Sequence, residues 1–239
     1  MRSYRQTLVD TYGKVESELK KDNSLVTKMD QLIEKDLREA LTGFDKNIGL
    51  HGEEYGKEGN PDTFWLIDPI DGTENYIRGM PNFQNMVTLI DRGEPVFTVV
   101  YRPVTDDLYV AAKGEGTYRN GLKIEMKERP ISRTQIEFTG NASIEDGPAI
   151  WKAVYDKIWN FKMGDFLLTP EGKLDGQLVY KSKGDIWDFA PRALLISEAG
   201  GKVANIGSDR YDYTNNDFLG AHPAIFDELM VAINTALKS

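Results

Sequence analysis

The sequence reads Trp-Leu-Ile-Asp-Pro-Ile-Asp-Gly-Thr-Glu-Asn-Tyr at residues 65–76, and this segment is the most informative part of the chain. An apolar run typical of a buried strand ends in two carboxylates, Asp68 and Asp71, and Gly72-Thr73 can then open a helix. Carboxylates bind hard divalent cations such as Mg²⁺, and the backbone N–H groups at a helix N-terminus bind phosphate. The segment therefore favours a metal and phosphate site, although Asp-Pro and Asp-Gly also occur as ordinary turn residues.

Composition limits the classes of protein to which the chain can belong. Of the 239 residues, 40% are hydrophobic and 28% are charged, which is ordinary for a folded globular protein. The net charge of −9, from 38 acidic and 29 basic residues, argues against a nucleic-acid polymer as the main partner. Cysteine is absent, which excludes disulfides and thiolate chemistry. No signal-peptide core is seen, and no window approaches ~18 apolar residues, so we expect a cytoplasmic protein without a membrane partner.

Hydrophobic periodicity predicts an α+β fold. Apolar residues at helical spacing indicate a first helix from Tyr4 to Leu19, broken by Asp22-Asn23-Ser24, and a second helix at 28–41 with Thr27 as its N-cap. The predicted strands of the first part lie at 48–50, 64–67, 86–90, 96–101, 108–112 and 117–124, with an Asn120-Gly121 turn near the end of the last. The predicted elements after residue 130 are helices at 148–159, 187–199 and 223–237 and strands at 136–139, 174–180, 202–205 and 218–221.

This order of elements suggests two halves within a single compact unit. We expect residues 1–130 to form N-terminal helices and a mainly antiparallel sheet that carry most of the candidate metal ligands. Residues 131–239 are expected to form a second, smaller α/β half, packed against the first, with the last metal ligand and the loops that select the substrate.

Carboxylates stand at the end of a predicted strand or the start of a predicted helix in four places: Asp30, Glu53, the Asp68/Asp71 pair and Asp188. Alone, Asp30 is explained as a charge that favours the helix dipole. The motifs that surround these carboxylates are Gly52-Glu53-Glu54, residues 65–76, Trp187-Asp188-Phe189-Ala190 and Glu198-Ala199-Gly200-Gly201. In their order and residue identities these motifs resemble those of the inositol monophosphatase family of Mg²⁺-dependent, Li⁺-sensitive phosphatases, over about residues 26–201.

The resemblance implies a layered αβαβα sandwich and hydrolysis of a small phosphate monoester with two or three Mg²⁺ ions per subunit. Carried over by position, Glu53, Asp68 and the carbonyl group of Ile70 are the implied ligands of the first Mg²⁺. Asp68, Asp71 and Asp188 are the implied ligands of the second. Homodimerisation and inhibition by Li⁺ are expected on the same analogy.

The resemblance also implies how phosphate and water are held. Gly72 and Thr73 would offer backbone N–H groups to the phosphate, while Thr73 and Asp30 would form the catalytic couple that orients and deprotonates the attacking water. The other residues expected to contact the substrate are Gly164, Asp165 and Lys181.

Physical chemistry supports a metal site independently of the resemblance. Two carboxylates ~4 Å apart repel each other by roughly 4 kcal/mol at an effective dielectric constant near 20, so a cluster of them needs cations or protons. Two cations also suit hydrolysis of a phosphate monoester, because one activates water and the other stabilises the leaving oxygen. The chain has only two histidines, so a proton relay through Thr73 and Asp30 is favoured over a histidine base.

The chain departs from the family pattern at several places, one of which is Glu74, an acidic residue beside the implied phosphate site. Pro191 follows Trp187-Asp188 closely, and we expect it to lie in the first turn of a helix, where no N–H group is needed. Inositol-specific relatives carry a carboxylate at the position of Lys181, so this cation weakens an assignment to inositol and favours a second anionic group, unless it faces solvent. Residues 160–166 replace a small Gly-Thr-Ala substrate loop with a bulkier, charged segment.

These observations lead to one function and its alternatives. We expect a phosphoric monoester hydrolase that acts on a small polyol or sugar phosphate, similar to inositol 1-phosphate, by two-metal activation of water. The same chemistry on fructose 1,6-bisphosphate, histidinol phosphate or 3′-phosphoadenosine 5′-phosphate is the alternative. A non-catalytic binding homologue would lack a ligand or Thr73, and none of these is missing.

Overall fold

The computed structural model describes residues 1–20, 25–140, 147–162 and 164–238, and the chain divides into two compact units, Met1–Val110 and Ala111–Ser239. The helices are α1 (Arg5–Thr11), α2 (Lys28–Phe44), α3 (Thr73–Arg78), α4 (Gly147–Tyr155), α5 (Ile186–Glu198) and α6 (Pro223–Ala236). Among the described residues, no helix combines the length and apolar character that a membrane span requires. Helices combined with two large sheets confirm the predicted α+β class.

The first unit is built around a mainly antiparallel sheet. Its strands are β1 (Glu18–Leu19), β2 (Leu25–Val26), β3 (Gly49–Gly52), β4 (Gly56–Glu58), β5 (Thr63–Asp71), β6 (Gln84–Asp91), β7 (Glu94–Arg102) and β8 (Asp107–Ala112), which runs into the second unit. Strands β1 and β2 form a separate two-stranded sheet. Within this unit the large sheet has the order β4-β3-β5-β6-β7-β8, and β3 and β5 form its parallel pair. Helix α2 packs on β5, and Ile33 of α2 and Ile70 of β5 belong to one buried apolar cluster with Tyr76 of α3.

The second unit carries a mixed five-stranded sheet. The strands of this unit are β9 (Gly116–Arg119), β10 (Leu122–Ile124), β11 (Gln135–Gly140), β12 (Asn160–Lys162), β13 (Gly176–Tyr180), β14 (Lys202–Asn205) and β15 (Phe218–Ala221). Strands β9 and β10 pair with each other as a hairpin and are not part of the five-stranded sheet. The sheet order is β12-β11-β13-β15-β14, with β11 parallel to both neighbours and β15 antiparallel to both of its own. Helices α4 and α6 contribute Ile150, Val154, Leu229 and Ile233 to the main core of this unit.

The β9–β10 hairpin explains why the division between the units comes earlier than the boundary expected near residue 130. The Thr117 hydroxyl donates a hydrogen bond to the carbonyl oxygen of Leu195 on α5, at 2.8 Å, so the hairpin belongs with α5. The second unit, expected to be the smaller, is therefore the longer one. The Asn120-Gly121 turn between β9 and β10 is confirmed, whereas the single strand predicted at 117–124 is two strands.

The first helix is much shorter than predicted. Helix α1 ends at Thr11, and Glu18–Leu19 forms a strand paired with β2 instead of the end of a helix. Gly13 has a φ of +75°, and its N–H group donates to the carbonyl oxygen of Tyr76 at 2.8 Å. This turn ends the helical pattern, and Leu19 is 70% exposed rather than buried. The predicted break at residues 22–24 lies outside the described residues.

Pro191 also differs from the prediction. Helix α5 begins at Ile186, so Pro191 lies inside the helix and not in its first turn. A proline there removes one N–H group from the helical hydrogen-bond pattern. The cost is offset by packing, because every residue from Phe189 to Ile196 is buried.

Candidate active site

Asp68 and Asp71 are brought together by an irregularity in strand β5. In a regular strand, residues three apart point to opposite faces. Here Asp68 pairs with Met86 and Asp71 pairs with Gln84, so β5 contains one residue more than β6 between the two pairs. Such a β-bulge allows both side chains to share a face, and a carboxylate oxygen of Asp68 lies within 4.8 Å of one of Asp71. Both residues are buried.

Glu53 is placed beside Asp68 by the parallel pairing of β3 and β5. Gly52 is in register with Ile67, and the Glu53 N–H group donates to the carbonyl oxygen of Ile67 at 3.1 Å. The carboxyl ends of parallel strands meet at the same edge of a sheet. Glu53 therefore follows β3 at the edge where Asp68 lies on β5.

Asp30 is the third residue of α2 and is completely buried. Its Oδ2 accepts hydrogen bonds from the backbone N–H group of Thr27, at 2.8 Å, and from the Thr27 hydroxyl, at 2.5 Å. This capping box confirms Thr27 as the N-cap. Oδ1 of Asp30 lies 3.0 Å from the Thr73 hydroxyl, which is also 2.9 Å from the carbonyl oxygen of Ile70. The hydroxyl can donate its single proton to either acceptor.

Gly72 connects β5 to α3 in a left-handed conformation that strongly favours glycine. Its φ is +82°, and a Cβ atom at this position would lie 2.9 Å from the carbonyl oxygen of Asn82. Helix α3 begins at Thr73, so the first N–H groups of the helix follow directly after Asp71. Glu74 is exposed and forms an ion pair with Arg78, at 2.6 Å.

The carboxylates of the first unit influence one another. Burial raises the pKa of Asp30. Burial also raises the pKa of Glu53, and the charges of Asp30 and Asp71 raise it further, while Lys20 opposes the change. Burial is likewise the main reason that the pKa of Glu54 is raised to about 7.

Two charged residues in this region were missed by sequence reasoning. The Lys20 ammonium group lies 2.7 Å from Glu53 Oε1 and 2.6 Å from Glu54 Oε1. Glu34, completely buried on α2, accepts the N–H group of Glu54 at 2.7 Å. Its spacing of four from Asp30 puts both carboxylates on one face of α2, which was the available signal. Lys20 offered none, because only tertiary structure brings it to Glu53.

Asp188, in the second unit, occupies the same local position as Asp30 does in the first. It is the third residue of α5, and its Oδ2 accepts the N–H group of Asp185 at 2.6 Å in a second capping box. The Arg192 side chain donates from Nε to the carbonyl oxygen of Asp188, at 2.8 Å. Two helix N-termini therefore carry the carboxylates that the sequence placed at helix starts.

The expected substrate-binding residues of the second unit lie in exposed or half-buried positions. Gly164 is exposed with a φ of +102°, and Asp165 caps a short 3₁₀ turn by accepting the N–H group of Leu167 at 3.1 Å. Lys181 is exposed, and its ammonium group lies 3.6 Å from Asp217 Oδ2. The same Asp217 accepts the Lys181 N–H group at 2.7 Å. Lys181 therefore forms an ion pair with Asp217 at the protein surface.

The donor set of the first unit fits a hard divalent cation. Glu53, Asp68 and Asp71 offer carboxylate oxygens, the ligand type that such cations prefer. Burial raises the pKa of Glu53, and the charges of Asp30 and Asp71 add to the shift. A hydroxyl–carboxylate pair, Thr73 and Asp30, lies beside them, and a helix begins directly after the aspartates. Carboxylates beside a hydroxyl–carboxylate pair and a helix start are the groups that metal-assisted hydrolysis of a phosphate monoester requires.

Comparison with known proteins gives the family. Residues 2–238 match the model of the inositol monophosphatase family, and the chain belongs to that family. It is 30% identical to a fructose-1,6-bisphosphatase/inositol-1-monophosphatase of Aquifex aeolicus, over 94% of this chain and 89% of the relative. It is 29% identical to the Nus factor SuhB of Escherichia coli, over 96% of this chain and 90% of the relative.

A solved structure shows the same fold. The structure of the inositol monophosphatase of Thermotoga maritima matches with a TM-score of 0.85 at 24% sequence identity, over 100% of this chain and 95% of the other. The resemblance stated from the motifs is therefore confirmed, and the protein is a phosphatase of this metal-dependent family that acts on phosphorylated small molecules.

Proposed function

We propose that the protein hydrolyses a small polyol or sugar phosphate, similar to inositol 1-phosphate, with Mg²⁺. The observation that carries this proposal is the β-bulge that gathers Asp68 and Asp71 beside the Thr73–Asp30 pair. Glu53, Asp68 and the Ile70 carbonyl group would hold one cation. Asp68, Asp71 and Asp188 would hold a second. Bound Mg²⁺ would activate the attacking water and stabilise the leaving oxygen.

Thr73 and Asp30 would manage the proton of the attacking water. The Thr73 hydroxyl accepts that proton as it passes its own to Asp30, 3.0 Å away. Burial raises the pKa of Asp30, which makes it a stronger base than an exposed aspartate. The hydrogen bonds from Thr27 keep Asp30 in one orientation, so the pair is aligned before the substrate arrives.

The phosphate group would be bound at the start of α3. The backbone N–H groups of Gly72 and Thr73 lie at the N-terminal end of this helix, where they have no partner within the helix itself. Glu74 does not oppose this role strongly, because it faces solvent and is paired with Arg78. Because Gly72 adopts a left-handed conformation, α3 can begin at Thr73, so the first N–H groups of this helix lie close to Asp71 in the sequence.

The alcohol portion of the substrate would be received by residues of the second unit, as the family resemblance implies. Gly164, Asp165 and Lys181 are proposed to contact it by analogy with the family. The ion pair of Lys181 with Asp217 reduces its value as a binder of a second phosphate, so we favour a monophosphate. Fructose 1,6-bisphosphate stays the first alternative because a relative carries that activity in its name.

A phosphate-release screen tests the proposal. Purified protein is assayed with Mg²⁺ and with EDTA on inositol 1-phosphate, fructose 1,6-bisphosphate, histidinol phosphate and 3′-phosphoadenosine 5′-phosphate. We expect Mg²⁺-dependent release that Asp71→Asn and Asp188→Asn abolish without unfolding the protein. Release that survives Asp71→Asn would contradict the metal assignment.

The similarity to a Nus factor supports a second candidate, a binding protein without turnover. Complete absence of phosphate release from all four substrates, by protein that is folded and binds Mg²⁺, would favour it.

We also propose that the protein is a homodimer and that Li⁺ inhibits its phosphatase activity. Sedimentation and the rate in the presence of Li⁺ test these two points.

A further inference from the structure

The side chain of Gln84 contacts one of the proposed metal ligands directly. Gln84 is the first residue of β6, lies opposite Asp71 across the bulge and is 6% exposed. Its Nε2 donates a hydrogen bond to Oδ2 of Asp71. An amide donor that holds one carboxylate oxygen restricts rotation of the whole carboxylate group. The orientation of Asp71 therefore depends on a residue 13 positions away in the sequence.

The other end of the same amide faces a buried cation. Arg102 is the last residue of β7, is 9% exposed, and its Nη2 lies 3.4 Å from Oε1 of Gln84. The amide N–H group therefore faces the carboxylate and the amide oxygen faces the guanidinium group. The reverse orientation would set like partners against each other at both ends, so the two contacts together determine the orientation of the amide.

A second amide from β6 contacts the bulge itself. Asn85 is completely buried, and its Nδ2 donates to the carbonyl oxygen of Pro69, which lies between Asp68 and Asp71. Consecutive residues of β6 thus hold both the backbone of the bulge and the carboxylate that follows it. Buried polar side chains are costly unless they are hydrogen-bonded, and here the N–H groups of both amides donate to the candidate site.

The chemistry of this chain of contacts suits a metal ligand. A guanidinium group bonded directly to Asp71 would place a full positive charge where a cation is to be bound. The neutral amide of Gln84 orients Asp71 and leaves its negative charge in place. Arg102 contacts the oxygen of this amide, and the contact holds and polarises the amide that bonds to Asp71.

We propose that Gln84 is a positioning residue that orients Asp71 for metal binding, and that Arg102 acts through Gln84. This inference rests on the proposed function, because it takes Asp71 as a metal ligand. It assigns to the β6–β7 pair a role in metal affinity that no motif of the sequence indicates.

The test is a set of Mn²⁺ titrations of the full chain by calorimetry without substrate. Loss of a residue that is hydrogen-bonded to a metal ligand typically weakens metal affinity about 10–100-fold. We expect a rise in Kd of this size for Gln84→Leu. Arg102→Met should raise the Kd less, and the double variant no more than Gln84→Leu alone, because Arg102 acts through the amide. Thr98→Val is the matched control, since it removes a buried hydroxyl bonded to Thr88 and to the Val87 carbonyl group.

The outcomes separate this inference from the proposed function. A wild-type Kd for Gln84→Leu, or a Kd raised as strongly by Thr98→Val, would overturn the inference. If the effects of Gln84→Leu and Arg102→Met on the free energy of Mn²⁺ binding add in the double variant, Arg102 does not act through Gln84. Circular dichroism in EDTA checks folding, and Gln84→Asn, whose amide is too short to reach Asp71, replaces Gln84→Leu if that variant does not fold. The proposed function fails instead if the wild type binds Mn²⁺ but releases no phosphate.

Discussion

At the scale of single residues, one local motif, the capping box, orients two of the candidate site carboxylates, Asp30 and Asp188. Asp30 and Asp188 each occupy the third position of a helix, and each accepts the backbone N–H group of its N-cap residue. A capping box needs only four consecutive residues, so it forms wherever the helix begins. The remaining carboxylate oxygen of Asp30 is then directed to Thr73. Local sequence thus orients side chains whose partners are far away in the chain.

The Thr73–Asp30 pair predicts a specific defect in catalysis. Thr73→Val removes the hydroxyl at nearly constant volume, so we expect kcat to fall about 10²–10⁴-fold, with little change in KM, because general-base assistance is lost. Thr73→Ser keeps the hydroxyl and should restore most of the rate. The measurement is the kcat and KM of Mg²⁺-dependent phosphate release. A Thr73→Val enzyme as fast as the Thr73→Ser enzyme would rule out this role.

Glu137 predicts a dependence of stability on pH in the second unit. It is 3% exposed and accepts a hydrogen bond from Thr139 at 2.7 Å. Burial raises its pKa, Arg192 opposes this change, and the nearby Asp165 adds to it. Because the folded-state pKa lies above the unfolded value of about 4.5, folded protein binds more protons between the two values. Stability should therefore fall as the pH rises through that window.

Glu137→Gln isolates this contribution. Glutamine is neutral at every pH, so the stability of the variant relative to the wild type should increase from pH 5 to pH 8. Urea unfolding at several pH values measures the difference, and the other titrating groups cancel between the two proteins. A difference that is constant with pH would show that Glu137 titrates normally.

At the scale of elements, the site depends on how β5 ends. The bulge at Asp68–Asp71 puts the two aspartates on one face, and Pro69 is tolerated there because a bulge does not require its N–H group. Gly72 then turns the chain into α3 through a left-handed conformation. A strand that continued regularly would separate the two aspartates, and one without Gly72 could not begin α3 directly after them.

Gly72→Ala should therefore impair both stability and activity. The left-handed conformation costs a non-glycine residue about 1–3 kcal/mol, and the new Cβ atom would also press on the Asn82 carbonyl oxygen. Gly93→Ala is the matched control, because Gly93 has a φ of +83° and no atom within 4 Å of an added Cβ. Thermal unfolding and phosphate release measure the two effects. Equal loss of activity in both variants would contradict a special role for Gly72.

At the scale of the whole molecule, the protein carries a net charge of −9, to which buried carboxylates contribute. Asp30, Asp68 and Asp71 are all less than a tenth exposed. Buried like charges oppose folding unless cations compensate for them. Lys20 compensates for part of the charge of Glu53 and Glu54. The family is metal-dependent, and bound cations would compensate for the remaining negative charge.

Divalent cations should consequently stabilise the folded protein. A ligand at 100 times its Kd adds about 2.7 kcal/mol to the free energy of unfolding, so Mg²⁺ should raise Tm more than NaCl at equal ionic strength. Asp71→Asn should be more stable than the wild type in EDTA and should gain less from Mg²⁺. Differential scanning calorimetry measures both shifts. An identical response to NaCl and Mg²⁺ would show that only general screening operates.

Much of the fold was predictable because it follows from local patterns. The strand at 202–205 and the strand at 218–221 were predicted with the bounds that the structure has, and the N-cap of α2 followed from a capping box. The first helix was predicted too long because Tyr12 and Val15 continue a helical stripe, whereas Gly13 turns away to bond with Tyr76. Periodicity reports burial, but it does not report which distant backbone atom competes for a hydrogen bond.

The sequence by itself determined the α+β class, the family and the order of the candidate ligands, since motifs of consecutive residues encode all three. Only the tertiary structure decided which side chains orient those ligands. Lys20, Glu34 and Gln84 contact or support the carboxylate residues from 13 to 34 positions away. Contacts over such distances depend on how strands pair and helices pack, and no local pattern of residue types records them.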